Sequence, residues 1–172
     1  SLDGAVVINE AGANADFRIE SDDRTHMFHI DAANNNARFD STNTDVSQEV
    51  YGLTPLVQVR GNHPNNASLL ISEHVDDANG PSLFFYKSRN TAPGSFTSVA
   101  NNDALGAIHF IADDGSDAGS KAALIVCEID GTPGSNDTPG RLSFYTTADG
   151  AADSTERMRI NSSGLVLIGS AT

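Results

Sequence analysis

Apolar and polar residues alternate with a period of two over short stretches of this chain, and the helical period is nearly absent. Such stretches occur at residues 5–8, 16–20, 27–31, 56–60, 68–73, 82–87, 107–111, 122–130, 141–146, 157–160 and 165–168. Each is bounded by Asn, Asp, Gly, Pro or Ser, the usual punctuation between strands. The two stretches with tolerable helix propensity, 44–51 and 148–157, are short and broken by β-branched residues or Gly. The pattern predicts an all-β chain of short strands joined by long polar loops.

One local unit recurs. Residues 28–39 read as strand, polar turn, strand, and so do residues 157–168. In each, an Ile precedes Asp31 or Asn161, whose side chain can bond its own backbone two residues on. Asn36 or Gly164 is then expected to take the positive φ that closes the turn. Repeated hairpins suggest modular construction. The polar run at 40–47 is the best linker, which divides the chain into an N-terminal hairpin module, 1–45, and a main β-rich module, 46–172.

Composition turns this pattern into a packing problem. Hydrophobic residues make up 38% of the 172, with no Trp, while Gly, Asn, Asp, Ser and Thr together supply 77. Many strands carry only two or three apolar side chains, too few for one copy to offset its chain entropy. Copies that pool apolar faces along a common axis would solve this and would cover exposed strand edges. Two Lys and eight Arg against 23 acids leave a net charge of −13, which speaks against nucleic acid and anionic membranes as partners. No apolar run approaches the ~20 residues of a membrane span, so no membrane insertion is expected. The first residues show no signal-peptide pattern. A single Cys excludes an internal disulfide framework.

A long phrase near the end narrows the reading. Asp130-Gly131-Thr132-Pro133-Gly134 is followed by Pro139-Gly140-Arg141-Leu142, by Thr146-Thr147-Ala148-Asp149-Gly150 and by Thr155-Glu156-Arg157-Met158-Arg159-Ile160. This resembles a module that recurs in tail fibres and other fibrous virion proteins of tailed bacteriophages. Leu105-Gly106-Ala107-Ile108-His109-Phe110 and Phe85-Tyr86-Lys87-Ser88-Arg89 resemble its upstream strands. Asp16-Phe17-Arg18-Ile19-Glu20-Ser21-Asp22, with residues 27–31, is similar to a second unit of the same proteins. The resemblance spans roughly residues 5–40 and 80–169. It implies an elongated, intertwined homotrimeric fibre segment on a virion, with other fibre or baseplate proteins as partners. It carries no catalytic motif and no cofactor. The self-cleaving chaperone that ends many relatives has no counterpart here, so a processed product, a fragment or a short member is expected.

The candidates for chemistry are few. Asp113-Asp114-Gly115-Ser116-Asp117 has its Gly at the third place and lacks the Glu of a calcium loop, so a solvated acidic turn is expected. His26 and His29 fall on opposite faces of a strand and cannot share an ion within one chain. A ring of His29 or His109 about a three-fold axis is a less economical reading than packing. Glu128 and Asp130 share strand spacing, but 23 acids always offer some such pair. Three Asn sequons, at Asn66, Asn136 and Asn161, carry no meaning in a chain made in bacterial cytoplasm. Cys127 reads as a small core hydrophobe. Arg18, Arg157 and Arg159 are expected to face away from the apolar side chains and to pair with Glu20 or Glu156 across protomers.

The sequence is therefore expected to encode a structural, non-enzymatic virion component, a trimeric tail-fibre segment that carries or forms a host-recognition surface. The alternatives are a glycan-binding or glycan-cleaving spike and a head-decorating fibre or adhesin of similar build. Residues 60–66 and 89–102 are the longest polar loops that also carry Arg, His or Phe. Loops on a rigid scaffold usually hold the variable contacts. Asn62, His63, Asn65, Arg89 and Phe96 are the receptor-contact candidates, for a host surface glycan or outer-membrane receptor.

Overall fold

The computed structural model describes residues 16–22, 24–33, 35–40, 49–63 and 67–169. Among them there is no α-helix. The strands are β1 (Phe17–Ser21), β2 (Arg24–Asp31), β3 (Asn36–Asp40), β4 (Val57–Arg60), β5 (Ala104–Ala112), β6 (Ser120–Ile129), β7 (Gly140–Thr147), β8 (Ser154–Ile160) and β9 (Val166–Ile168). The all-β fold class follows the alternation directly. The chain divides into two compact units, Ser1–Pro81 and Ser82–Thr172.

In the first unit β1–β2–β3 form an antiparallel meander, and β4 joins β3 in parallel, with Arg38 opposite Gln58 and Phe39 opposite Val59. That last ladder carries the first sheet past position 45, so the unit extends to Pro81 where the composition shift marked 45. The polar run at 40–47 is described only at Asp40, and the stretch at 5–8 lies outside the described residues. In the β2–β3 turn the positive φ falls on Asn35, at 52°, and Asn36 already belongs to β3.

In the second unit β5 to β9 form one antiparallel sheet in chain order. Its closing hairpin follows the predicted chemistry. Asn161 Oδ1 accepts from the amides of Ser163 (3.1 Å) and Leu165 (2.9 Å), and Gly164 takes a φ of 80°.

Two stretches depart from their pattern. Residues 68–73 and 82–87 alternate like strands but lie in no sheet, and they form no backbone–backbone hydrogen bond among the described residues. Alternation encodes a preference for extended backbone. A strand also needs a neighbour, and within this chain the described residues supply none.

Burial is inverted. The buried hydrophobics among the described residues are Val126 and Ile129, while His29, Asp31, Asn36, Arg38, Gln58, Ser143 and Glu156 are buried polar groups. The first sheet hides its polar face and shows its apolar one; the second hides Val126, Ser143 and Glu156 on one face and leaves Ile108, Leu142, Val166 and Ile168 exposed on the other.

Candidate functional site

Register builds the exposed apolar faces. Antiparallel pairing aligns Gly106, Cys127, Leu142, Ile160 and Val166 in one row across the second sheet. The next row is Ile108, Ile125, Phe144, Met158 and Ile168. Residues directly opposite in a ladder share a face, so both rows lie on one side. Neither contains an ionisable carboxylate or a cation. Ile108, Phe110, Leu142, Val166 and Ile168 are exposed there. Phe85 crosses part of this face: a Cβ added at Gly106 would lie 2.5 Å from Phe85 Cβ, so only glycine admits that ring. Beside it runs a shallow apolar groove floored by Ile108, Ile125, Cys127 and Leu142.

The first sheet repeats the plan. Phe17, Ile30, Ala37 and Val57 form one apolar row. Phe28 contacts the ring of Phe39 at 5.1 Å between centroids and that of Phe17 at 6.4 Å. Ile19, Ile30, Phe39, Val57 and Val59 are all exposed.

The polar faces hold the charge. In the first sheet Arg18, His29, Arg38 and Gln58 form a row. Arg38, 0% exposed, donates through Nη2 to His29 Nδ1 and lies 3.7 Å from Asp31 Oδ2. His29 Nε2 is 3.1 Å from Asp16 Oδ2. The amide of Ala32, donating to Asp16 Oδ1, is the main cause holding that carboxyl below its ordinary value.

In the second sheet Glu156 accepts from Arg159 Nε (2.9 Å) and Nη2 (2.6 Å) and from the Tyr145 hydroxyl (3.2 Å). Arg159 keeps Glu156 ionised to lower pH, while burial first and the Glu156 charge second push the Tyr145 phenol up. Arg141 gathers Glu128 Oε2 (3.1 Å), Asn102 Oδ1 (2.9 Å) and Asp130 Oδ1 (3.4 Å). The Ser162 amide donates to Asp130 Oδ2 at 2.9 Å and is the main cause lowering that carboxyl. Arg141 thus draws both carboxylates of the 128/130 pair to one cation. The Arg18–Glu20 and Arg159–Glu156 pairs form within one chain, because β-spacing and the i,i+3 offset already bring them within reach.

The carboxyls of Asp16, Asp103, Asp114, Asp130 and Glu156 are all held below their ordinary values, which disfavours each as a proton donor at neutral pH. Asp114 spends its oxygens on the amides of Ser116 and Asp117 and the hydroxyl of Ser120. No group of three or more His, Cys, Asp or Glu is gathered as metal ligands among the described residues. No helix among them is long and apolar enough to cross a membrane.

The receptor-contact candidates fall in two places. Asn62 and His63 are exposed in the bend after β4, in the first unit; Asn65 lies outside the described residues. Arg89 and Phe96 share one loop of the second unit. Its ends are tied by Arg89 N to Thr97 O (3.3 Å), Asn90 Nδ2 to Thr97 Oγ1 (3.0 Å) and Ser88 Oγ to Thr97 O (3.3 Å). Arg89 makes two 2.6 Å bonds to the Asp103 carboxylate and holds that group well below the usual range. Phe96 is 83% exposed. Arg89 therefore braces the loop, and Phe96, next to the tied Thr97, is bare.

No family model and no curated protein matches this chain. Solved structures do. The carboxy-terminal domain of the bacteriophage T5 L-shaped tail fibre superimposes with a TM-score of 0.60 at 13% identity, covering 84% of this chain. The fold is similar to that of this tail-fibre domain. This chain spans 59% of that fibre chain's length.

Proposed function

We propose that this chain is a structural, non-enzymatic segment of a tailed-phage tail fibre, assembled as a homotrimer on the virion. The observation that carries the reading is the inverted burial. Both sheets leave largely apolar faces open, the second with Arg157 at its margin over Thr146, and exposed apolar area on this scale is covered in an assembly or causes aggregation. Identical copies are the fitting cover, since each keeps its Arg141–Glu128 and Arg159–Glu156 ion pairs on the opposite side of the sheet. The shared fold with a tail-fibre domain and the phrase at 130–160 support the same reading. The test is sedimentation at micromolar concentration. A trimer is expected; a stable folded monomer ends the proposal.

In this reading other fibre or baseplate proteins are the axial partners, and the loops at 60–66 and 89–102 carry host recognition. Asn62, His63, Asn65 and Phe96 offer contacts to a host surface glycan or outer-membrane receptor, while Arg89 acts by holding its loop. Phe96→Ala and His63→Ala are expected to lower host adsorption with the trimer intact. Adsorption unchanged in both reduces the segment to pure shaft. A glycan-cleaving spike is the weaker alternative, because Arg141 neutralises the 128/130 acid pair.

A further inference from the structure

The trimer reading does not say which residues interlock. Phe84 stands 86% exposed on a stretch that alternates like a strand, and its neighbour Phe85 lies against Gly106 of its own sheet. Consecutive side chains on extended backbone point to opposite sides. With Phe85 committed inward, Phe84 points away from its own apolar face. We infer that Phe84 of one copy seats in the groove formed by Phe85, Gly106, Ile108, Ile125, Cys127 and Leu142 of a second copy, so that three equivalent knob-in-groove contacts close the ring. This inference rests on the trimer proposed above.

Three observations carry it. The groove has no charged side chain, so it suits an aromatic ring and offers nothing to an ionic partner. The second sheet's ion pairs, Arg141 with Glu128 and Arg159 with Glu156, sit on the residues that alternate with the groove rows, so like-charged copies can approach through this side at least electrostatic cost. Symmetry supplies the third. Rotation about an axis leaves height along that axis unchanged, so residues level with one another in one copy are level in all. Phe84 is one residue from Phe85, and Phe85 touches Gly106 beside Cys127. Phe84 of each copy therefore arrives at the level of its neighbour's groove. A knob on one patch entering a groove on another is a heterologous contact, which closes under three-fold rotation.

Cys127 gives a direct reporter, being the single thiol and half-buried in the groove. Phe84→Cys should form a disulfide with Cys127 of the adjacent copy under mild oxidation, giving covalent species up to trimer size on a non-reducing gel. In Phe84→Cys with Cys127→Ser those species should vanish. A covalent dimer there, the largest species one thiol per chain can give, would mean that Phe84 positions of different copies meet one another, and the inference falls. A monomer-sized band with both thiols consumed would place Phe84 on its own groove and also overturns it. A variant that sediments as a trimer yet never cross-links refutes the contact and leaves the trimer standing, whereas a monomeric wild-type chain refutes the trimer itself. If Phe84→Cys fails to assemble, the wild-type thiol decides. Cys127 should react slowly with a bulky maleimide in the assembled protein and at least about tenfold faster in Phe84→Ala that remains trimeric. Equal rates in the two trimers overturn the inference.

Discussion

The two sheets follow one plan and differ in how deeply they hide their charge. In the first, Arg38 and His29 are sealed between strands, with Asp31 also buried. In the second, Arg159 keeps 29% of its side chain in solvent while Glu156 beneath it keeps 10%. Both faces neutralise their charges within the chain. The difference lies in what a broken pair would cost: an orphaned charge on the second face can turn to water, whereas one on the first cannot. The buried ionic groups of the first sheet therefore hold β2 and β3 together where no water can replace them, through Arg38 with His29 and Asp31.

The comparison breaks most directly at Arg38. Arg38→Ala strips Asp31 and His29 of a buried partner, and a loss of about 3–5 kcal/mol is expected, against ~1 kcal/mol or less for Arg159→Ala. Denaturant unfolding of both variants at one fixed protein concentration checks this, because assembly makes stability concentration-dependent. Equal losses would mean that the two polar faces are energetically alike.

The apolar faces can be contrasted by their glycines. Gly106→Ala pushes a methyl into Phe85 near its backbone, so overpacking of roughly 1–3 kcal/mol is expected. Gly164→Ala meets open space and suffers only from its φ of 80°, costing about 1 kcal/mol. Thermal melts of the pair rank the two. A harmless Gly106→Ala would show that Phe85 is not held on the sheet.

Acid and alkali act chiefly on the second unit. Asp130 and Glu156 have folded values below their ordinary 3.8 and 4.5, so the stability they add is present above those values and is lost as pH falls through the folded ones. Tyr145 is raised above 10.0, so its contribution is present below pH 10 and is lost as pH climbs through its folded value. Melting temperature against pH should therefore drop below about pH 4 and above about pH 10. Asp130→Asn should flatten the acid limb and Tyr145→Phe the alkaline one. An unchanged acid limb in Asp130→Asn would shift that role to Asp16 in the first unit, which the Ala32 amide holds low.

Salt gives the smallest effect. Three copies at −13 repel one another, and screening shortens the range of that repulsion from about 30 Å at 0.01 M to about 3 Å at 1 M. A modest rise in melting temperature between low and high NaCl is expected, with host adsorption requiring salt or divalent cations. A flat curve would mean that the local pairs, Arg141 with Glu128 and Asp130 among them, leave little net repulsion to screen.

Much of the fold was legible along the chain because a period of two is a local property. The extended backbone, the hairpin at 157–168 and the αL glycine of its turn all follow from neighbours in sequence. So does the separation of Arg18 and Arg159 from the apolar side chains; Arg157 departs from it, because the irregularity opposite Phe144 and Tyr145 lets its Nε reach Thr146 Oγ1 on the apolar side. The polar clusters were not legible. Arg141 reaches Asn102 from 39 residues away and the Ser162 amide reaches Asp130 from 32, and no local pattern marks such a meeting. Arg89 read as a free contact residue because its partner Asp103 lies beyond the loop.

What the sequence determined by itself is the strand preference, the turn chemistry and the two-sided character of each strand, all set by sterics and hydrogen bonding within a few residues. Tertiary structure alone decided the parallel β3–β4 ladder, the chain-internal ion pairs, the cover of Phe85 over Gly106 and the absence of sheet partners for 68–73 and 82–87 among the described residues. The physical reason is that alternation says which face of a strand is apolar but not what will lie against it. That choice depends on groups that only folding, or a second copy, brings near.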